Sequence, residues 1–284
     1  MSSSVQEVEL RDAWESAAPG WAKWEEKFSA GLGDVSDALL DMAGVGPGMR
    51  VIDLACGAGG LSLRAARRVG PTGQILAIDI SPTMLERLRA NAHRAALSNI
   101  RTVECAAQDL DPAAAEGRYG AGICRLGLML FPSPPRALTT VQRLLEPNAR
   151  FAALVFTTAA ANPFMARPME VLLRHANKKP PAPGQPGIFV LGTTAALEQA
   201  MADAGFSDVR TRIARAPLRL ASATEALEMM QEAFGAYRAV VADLGEAQRL
   251  QAWAEVFECL KAFETSNHFE AELEFLITAG AKPP

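Results

Sequence analysis

Short apolar runs alternate with segments of helical periodicity along the first half of the chain. The runs read as buried strands and are "MRVIDLACG", "GQILAIDIS", "NIRTVECAA", "YGAGICRLGLML" and "ARFAALVFTT". The segments between them predict helices, among them "GLSLRAARRV", "SPTMLERLRANAHRAAL" and "PPRALTTVQRLL". Strands that alternate with helices are typical of a parallel sheet covered by helices on both faces.

The pattern changes near residue 160. Residues 160–192, with "ANKKPPAPGQPG", are rich in proline and too long for a plain connection, which predicts an irregular lid or binding loop. A helix over "TTAALEQAMADAGF" follows. Two later strand-like runs, "DVRTRIARAPLRL" and "FEAELEFLITAGAKP", are joined by a helical excursion and predict an antiparallel pair at the sheet edge.

These elements predict an α/β fold: a doubly wound, Rossmann-like sheet of seven strands, mostly parallel, with an antiparallel last strand. We expect four regions. Residues 1–45 form an N-terminal helical cap, 46–158 the ligand-binding core, 159–192 the lid or acceptor insertion, and 193–284 the rest of the sheet with its helical excursion.

Composition narrows the function classes. A formal net charge of −4 without a lysine- or arginine-rich block argues against nucleic-acid binding. No apolar run reaches about 18 residues, so no membrane span is predicted. The start of the chain lacks the pattern of a signal peptide. The four cysteines form no C-x-x-C pair, which favours reduced thiols in a cytoplasmic protein and indicates no metal site.

The stretch "VIDLACGAGG", residues 51–60, combines a buried strand with a glycine loop. In an open α/β sheet, ligands bind beyond the carboxyl ends of the strands. Gly57 and Gly59 bare the backbone there, and the helix that follows directs its amides at the site. A dinucleotide fingerprint would place a third glycine where this chain has Ser62, and its pyrophosphate would be repelled by Asp53 inside the strand.

Three acids lie at or near the carboxyl ends of three successive strands and suggest the ligand. Asp53 suits a positively charged amino group or sulfonium. Asp79 ends the next strand about 20 residues after the glycines, the spacing at which a carboxylate binds both ribose hydroxyls. Asp109 follows the third strand and could accept a hydrogen bond from the exocyclic amine of adenine. Adenine, ribose and an ammonium-bearing tail together describe S-adenosylmethionine.

With these motifs in order, the chain resembles the class I S-adenosylmethionine-dependent methyltransferases. It is most similar to the branch that contains ubiquinone/menaquinone-biosynthesis enzymes and small-molecule natural-product methyltransferases. The matching stretches are "VIDLACGAGG", "ILAIDISPTML", "AAQDLD", "GICRLGLMLFPSPPRAL", "LLEPNARFAALVF" and "LEQAMADAGFSDV". The chain departs from the family at Asn148-Ala149, where Gly-Gly is frequent, in a turn far from the expected cofactor site.

The resemblance implies a set of residues around the methionine end of the cofactor. Asp53 would hold the ammonium group through water. Arg125, at the end of the fourth strand, would line this end mainly through its backbone. The loop residues along the methionine tail would be Ala55, Cys56, Gly57 and Gly59.

The resemblance also implies contacts to the nucleoside. Asp79 would bind the ribose, while Ile80 and Met84 would sandwich the adenine. Gln108 and Asp109 would meet the edge of the adenine ring.

The N-terminal helix and the insertion offer candidates for closing the site. Trp14, Trp21 and Trp24 could attach their helix to the core, or could close over the cofactor as in the resembling branch, with Trp24 beside the sulfonium. His175 in the insertion is the candidate general base, if the acceptor needs one. The expected walls of an apolar acceptor pocket are Phe164, Met165, Met169, Phe189, Met229 and Met230.

The sequence thus predicts methyl transfer from S-adenosylmethionine to a largely apolar small molecule, a natural product or quinone-like compound, with S-adenosylhomocysteine as the product. Two alternatives stay open at this point. One is a protein of the same fold that binds the cofactor but catalyses a cyclisation or acts as a regulatory binder. The other is a nicotinamide-dependent oxidoreductase. A homo-oligomer is also open, since the tryptophan-bearing helix could pack on a partner.

Overall fold

A computed structural model of the chain describes the backbone of residues 3–180 and 185–284, and side chains from residue 11 onward within those ranges. Residues 1 and 2 of the expected cap and residues 181–184 of the expected lid lie outside the described residues.

A single sheet of seven strands runs through the described part of the chain, in the order β3-β2-β1-β4-β5-β7-β6. Strands β1 to β5 are parallel to one another, and β7 is antiparallel to both of its neighbours, β5 and β6. The predicted fold class is therefore confirmed. The strands are β1 Arg50–Leu54, β2 Gln74–Asp79, β3 Ile100–Glu104, β4 Tyr119–Arg125, β5 Leu145–Phe156, β6 Ser207–Leu220 and β7 Phe269–Ala281.

Helices cover both faces of the sheet, and none of those described is long and apolar enough to cross a membrane. Helix starts follow the sequence signals: the Ser81 hydroxyl accepts a hydrogen bond from the Met84 N–H at 3.1 Å, with Pro82 at the first helical position. The helices are α1 Ser3–Gly31, α2 Gly33–Met42, α3 Gly60–Val69, α4 Pro82–Arg94, α5 Pro112–Ala115, α6 Pro134–Leu144, α7 Pro163–His175, α8 Thr194–Asp203, α9 Ala223–Ala233, α10 Gly235–Val240 and α11 Glu246–Leu260.

The order of the strands creates a crevice in the middle of the sheet. From β1 the chain winds outward through β2 to β3, and then returns to place β4 on the other side of β1. The connections after β1 and β4 leave toward opposite directions, so the carboxyl ends of these two strands flank an open gap. The strand ends that meet at this edge, in spatial order, are those of β3, β2, β1 and β4.

The first part of the insertion is a regular helix, where its prolines suggested an irregular segment. Helix α7 packs against α11, and its Phe164 and Met165 are buried. Pro163 occupies the first turn, where a missing N–H costs no hydrogen bond. Beyond residue 184, the Gly187 N–H donates to the carbonyl of Met129 at 3.1 Å and ties the chain to the segment after β4.

Helix α1 lies so close to α9 that backbone meets backbone. A Cβ atom at Gly20 would sit 2.0 Å from the carbonyl oxygen of Glu232. The Glu232 carboxylate accepts from the Trp24 indole N–H at 2.6 Å and pairs with Lys23 at 2.8 Å. This contact fixes the rotation of α1 over the sheet.

We expect Gly20→Ala to destabilise the protein by about 1–3 kcal/mol, because the added methyl group has no room against α9. The matched control is Gly46→Ala, whose Cβ would find its nearest neighbour, the Met49 sulfur, at 3.7 Å. Denaturant unfolding of both variants checks the difference. Equal midpoints for the two variants would show that α1 does not depend on this close approach.

Candidate functional site

A cavity that is open to solvent lies over the carboxyl ends of β1 to β4 and under α1; its empty space, counted together with the adjoining solvent, is about 1150 Å³. Its walls are mostly apolar. The sequence-predicted residues that line it are Asp53, Ala55, Cys56, Gly57, Asp79, Ile80, Met84, Gln108 and Arg125. Among the residues predicted to bind the cofactor or to act as a base, those that do not line it are Gly59, Asp109, Trp24 and His175.

The two glycines of the loop after β1 have different roles. Gly57 has a φ of +55°, and a Cβ atom there would meet nothing within 4 Å, so its bare backbone faces open space. Gly59 has a φ of +97°, and a Cβ atom there would lie 2.6 Å from Leu88 Cγ on α4. Gly57 therefore leaves space in the cavity, whereas Gly59 lets the loop pack against α4.

Asp79 ends β2 and holds the loop in place. Its Oδ2 accepts from the Gly57 N–H at 2.8 Å and its Oδ1 accepts from the Ser81 N–H at 3.0 Å. Burial raises the pKa of this carboxyl, although the backbone hydrogen bonds act in the opposite direction. A carboxylate oxygen can accept more than one hydrogen bond, so both oxygens retain capacity for ligand hydroxyls.

Asp53 lies inside β1 and is 1% exposed. The Ser62 hydroxyl donates to its Oδ2 at 2.5 Å. Burial raises the pKa of Asp53 to about 7; the Ser62 hydrogen bond and Arg125 oppose this shift, and Asp79 adds to it. The serine that departs from the dinucleotide fingerprint thus serves to hold the in-strand acid.

Of the two residues expected at the adenine edge, one reaches the cavity. Gln108 lies in the 3₁₀ turn after β3, is buried, and lines the cavity wall. The Asp109 carboxylate instead accepts from Arg136 at 2.8 Å on the outer side of the turn. One turn of 3₁₀ helix separates neighbouring side chains widely, which places these two residues on different sides.

The aromatic side chains that cover the cavity come from one face of α1. Trp14, Trp21 and Phe28 all line it and are spaced by seven residues, which is about two turns of helix. The ring centroids of Trp14 and Trp21 lie 6.4 Å apart, and those of Trp21 and Phe28 lie 5.4 Å apart. Trp24 faces α9 instead, where its indole N–H donates to Glu232, so the cavity-facing tryptophans of the predicted cap are Trp14 and Trp21 rather than Trp24.

His175 ends α7 away from the cavity, where its Nε2 lies 2.8 Å from the Glu255 carboxylate on α11. Histidine is absent from the described residues that line the cavity. The expected acceptor-pocket residues do not line the cavity either. Four of them are buried in the core, Phe164, Met165, Met229 and Met230, and two are partly buried against it, Met169 and Phe189. In the structure, therefore, the expected general base and the expected walls of the acceptor pocket lie outside this cavity.

Sequence reasoning missed polar residues of α1 and the segment after β4. Glu25 and Ser29 line the cavity beside Trp21 and Phe28, and share their face of the helix. The seven-residue spacing of the aromatic residues was the available signal for that face. The missed apolar lining residues after β4 are Leu126, Leu130, Phe131 and Pro132.

No group of three or more His, Cys, Asp or Glu side chains within the described ranges is placed to hold a metal ion. All four cysteines carry free thiols. Cys56 is buried in the loop after β1, and burial raises the pKa of its thiol, which keeps it protonated.

Residues 46–182, just under half of the chain, match the model of a family described as a methyltransferase domain. The chain is 33% identical over 150 residues to a 2-phytyl-1,4-naphtoquinone methyltransferase of Trichormus variabilis, covering 52% of this chain and 65% of that protein. It is 36% identical over 117 residues to the nocamycin O-methyltransferase of Saccharothrix syringae, covering 41% of each.

The fold resembles that of a solved phosphoethanolamine N-methyltransferase 2 of Haemonchus contortus in complex with S-adenosyl-L-methionine. The TM-score is 0.53 at 16% identity, over 88% of this chain and 53% of that chain. The chain spans less than two thirds of the length of each of these relatives. With the strand order, these similarities show that the chain has the fold of the solved methyltransferase, and that its residues 46–182 match a methyltransferase domain.

Proposed function

We propose that this protein transfers the methyl group of S-adenosylmethionine to a largely apolar small molecule and releases S-adenosylhomocysteine. One observation carries the proposal. The strand-end acids Asp53 and Asp79 and the open backbone at Gly57 share a cavity with a face of aromatic residues from α1. A polar floor suits the cofactor, and an apolar cover suits the acceptor.

The residues present fit the cofactor in spatial order. Gln108 after β3 and Met84 on α4 border the space for the adenine, and Asp79 at the end of β2 offers its carboxylate to the ribose hydroxyls. The open space at Gly57 suits the methionine tail, which would then run toward Asp53 on β1. Adenine, ribose and tail thus follow the strand order β3, β2, β1.

The cofactor supplies a methyl group already activated on a sulfonium, so the protein has to align the acceptor and exclude water. Holding two reactants in the productive geometry can contribute roughly 7–11 kcal/mol toward a barrier of this kind. The cavity is covered on one side by Trp14, Trp21 and Phe28, which exclude water there. Their ring faces suit a cationic sulfonium.

The apolar character of the acceptor follows from the walls. Leu130, Phe131 and Pro132 extend the aromatic face of α1 on the side of β4. The few polar side chains among these walls suit a ligand that is held mainly by apolar contacts. The similarity to a naphtoquinone and a nocamycin methyltransferase favours a quinone-like compound or a natural product.

The alternatives gain no support from the site. Ser62 stands where a dinucleotide fingerprint has its third glycine, and its hydroxyl donates a hydrogen bond to Asp53. This arrangement argues against a nicotinamide dinucleotide as the ligand. A cofactor-binding protein without transferase activity differs from our proposal in one measurable outcome, the absence of methylated product. A cytoplasmic location and a homo-oligomer stay predictions from the sequence.

We expect Asp79→Ala to abolish binding of S-adenosylmethionine. The variant loses charge-assisted hydrogen bonds to the ribose and the acceptor of the Gly57 N–H, a loss of at least about 100-fold in affinity. Isothermal titration calorimetry measures it. The control is Asp243→Ala, an acid 85% exposed at its side chain in a surface ion pair. Unchanged affinity in Asp79→Ala would refute the ribose assignment.

We expect the affinity for S-adenosylmethionine to rise with pH through about 7, because a bound ammonium favours the carboxylate of Asp53, whose pKa is about 7 in the empty site. The stability of the protein without cofactor changes with pH in the opposite direction. Since the folded-state pKa is raised, the contribution of Asp53 to stability is full below about pH 4 and is lost as pH rises through about 7.

Calorimetry and denaturant unfolding over this pH range check both slopes. The matched variant is Asp53→Asn, which retains the shape of the side chain and an acceptor for the Ser62 hydroxyl. Both slopes should flatten in this variant. Slopes equal to those of the wild type would show that another group is responsible.

We expect incubation with methyl-tritiated S-adenosylmethionine and a mixture of quinols and polyphenols to place label in the organic-solvent extract, because the acceptor site is apolar. Scintillation counting and mass spectrometry of the extract identify the product. The Asp79→Ala variant is the control without bound cofactor. A wild-type protein that binds the cofactor but labels neither the mixture nor a cell extract would be a binder rather than a transferase.

A further inference from the structure

Most of the charged side chains that line the cavity are acids. Four charged side chains are among the described lining residues: Glu25, Asp53, Asp79 and Arg125. Three are acids, and Arg125 is the one cation among them. A ligand that carries a carboxylate would therefore be repelled from the cavity unless that carboxylate is placed at Arg125.

Arg125 is a partly buried cation whose described contacts are neutral. Its Nη1 donates to the Ser36 hydroxyl at 3.0 Å and its Nη2 to the Ser29 hydroxyl at 3.3 Å. Burial lowers the pKa of Arg125, although Glu25 and Asp53 oppose this. A guanidinium held out of water without a direct ion pair is costly to the fold, and its five donors suit a planar carboxylate.

Glu25 faces Arg125 across the first turn of α3 without touching it. A Cβ atom at Gly60 would lie 2.7 Å from Glu25 Oε1 and 2.7 Å from Arg125 Nη2. These two residues, both within the described ranges, form no ion pair within 4.0 Å. Burial raises the pKa of Glu25, and Arg125 and the Gly60 N–H act in the opposite direction. The cation Arg125 and the acid Glu25 thus both lie next to Gly60, the first residue of α3, which has no side chain.

The order of the strands places this pair at the methionine end of the cofactor. Arg125 is the last residue of β4, and Asp53 pairs in register with Ile123 two residues earlier on that strand. The nucleoside side of the cavity lies at β3 and β2, on the opposite side of β1. Glu25, Asp53 and Arg125 therefore surround the end at which the cofactor carries both its ammonium and its carboxylate.

We infer that Arg125 and Glu25 bind the two charges of the amino-acid end of S-adenosylmethionine: the guanidinium takes the carboxylate and Glu25 takes the ammonium together with Asp53. This inference rests on the proposed function and changes the role of Arg125, which the family resemblance had limited to its backbone. It also gives α1 a direct part in cofactor binding, because Glu25 belongs to the helix that covers the cavity.

The experiment compares ligands that lack one part of the amino-acid end. Calorimetry is carried out on the full chain with S-adenosylmethionine, with decarboxylated S-adenosylmethionine, and with methylthioadenosine, which lacks the whole amino-acid group. Wild type should bind the first about 10- to 100-fold more tightly than the second, as expected for loss of one charge-assisted contact. Equal affinities would overturn the role of Arg125 without any substitution.

Variants then assign each charge to its residue. Arg125→Gln should lose about 10- to 100-fold in affinity for S-adenosylmethionine and stay within about threefold of wild type for the decarboxylated form. Glu25→Gln should weaken both of these ligands, which carry the ammonium, and leave methylthioadenosine unchanged. Arg68→Gln is the matched control, because Arg68 pairs with Asp41 of α2 at 2.6 Å and does not line the cavity.

The outcomes separate this inference from the proposed function. If wild type binds none of the three ligands, the proposed function itself fails. If it binds methylthioadenosine and both longer ligands with the same affinity, the nucleoside assignment stands and the inference fails. If Arg125→Gln weakens all three ligands equally while remaining folded by circular dichroism, Arg125 supports the loop and does not bind the carboxylate.

Discussion

The convergence of four parallel strand ends at one edge of the sheet is the constraint on which the rest of the structure depends. Parallel strands bring their carboxyl ends to the same side, and the return of the chain from β3 to β4 opens a gap beside β1. Asp53 and Asp79 are separated by 26 positions in sequence numbering yet belong to neighbouring strands paired in register. Their burial next to each other is a consequence of the strand pairing.

Burying acids in this way has a cost that the surrounding loop reduces. Asp79 is satisfied by the N–H groups of Gly57 and Ser81, and Asp53 by the Ser62 hydroxyl. These bonds fix the conformation of the loop after β1 before any ligand arrives. The raised pKa of Asp53 indicates that burial exceeds this compensation, and a ligand with a positive charge would supply what is missing.

Helix α1 covers the cavity from the side opposite the strand ends and contributes both apolar and charged side chains to its lining. Its contact with α9 through Gly20 and Glu232 sets the rotation that turns Trp14, Trp21 and Phe28 toward the cavity. The same face carries Glu25, so the helix that forms the apolar cover also contributes an acid to the cavity. The position of one helix thus sets both the apolar cover of the cavity and part of the charge inside it.

The sequence by itself determined the strand and helix order, the edge at which ligands bind, and the loop from Asp53 to Gly59, because these depend on local periodicity and on neighbours along the chain. Only the tertiary structure decided which α1 side chains face the cavity, that Asp109 is bonded to Arg136, and that His175 is bonded to Glu255. It also decided that the proline-bearing α7 is a core helix. These features depend on helix rotation and on packing between segments distant in sequence, which a local pattern does not encode.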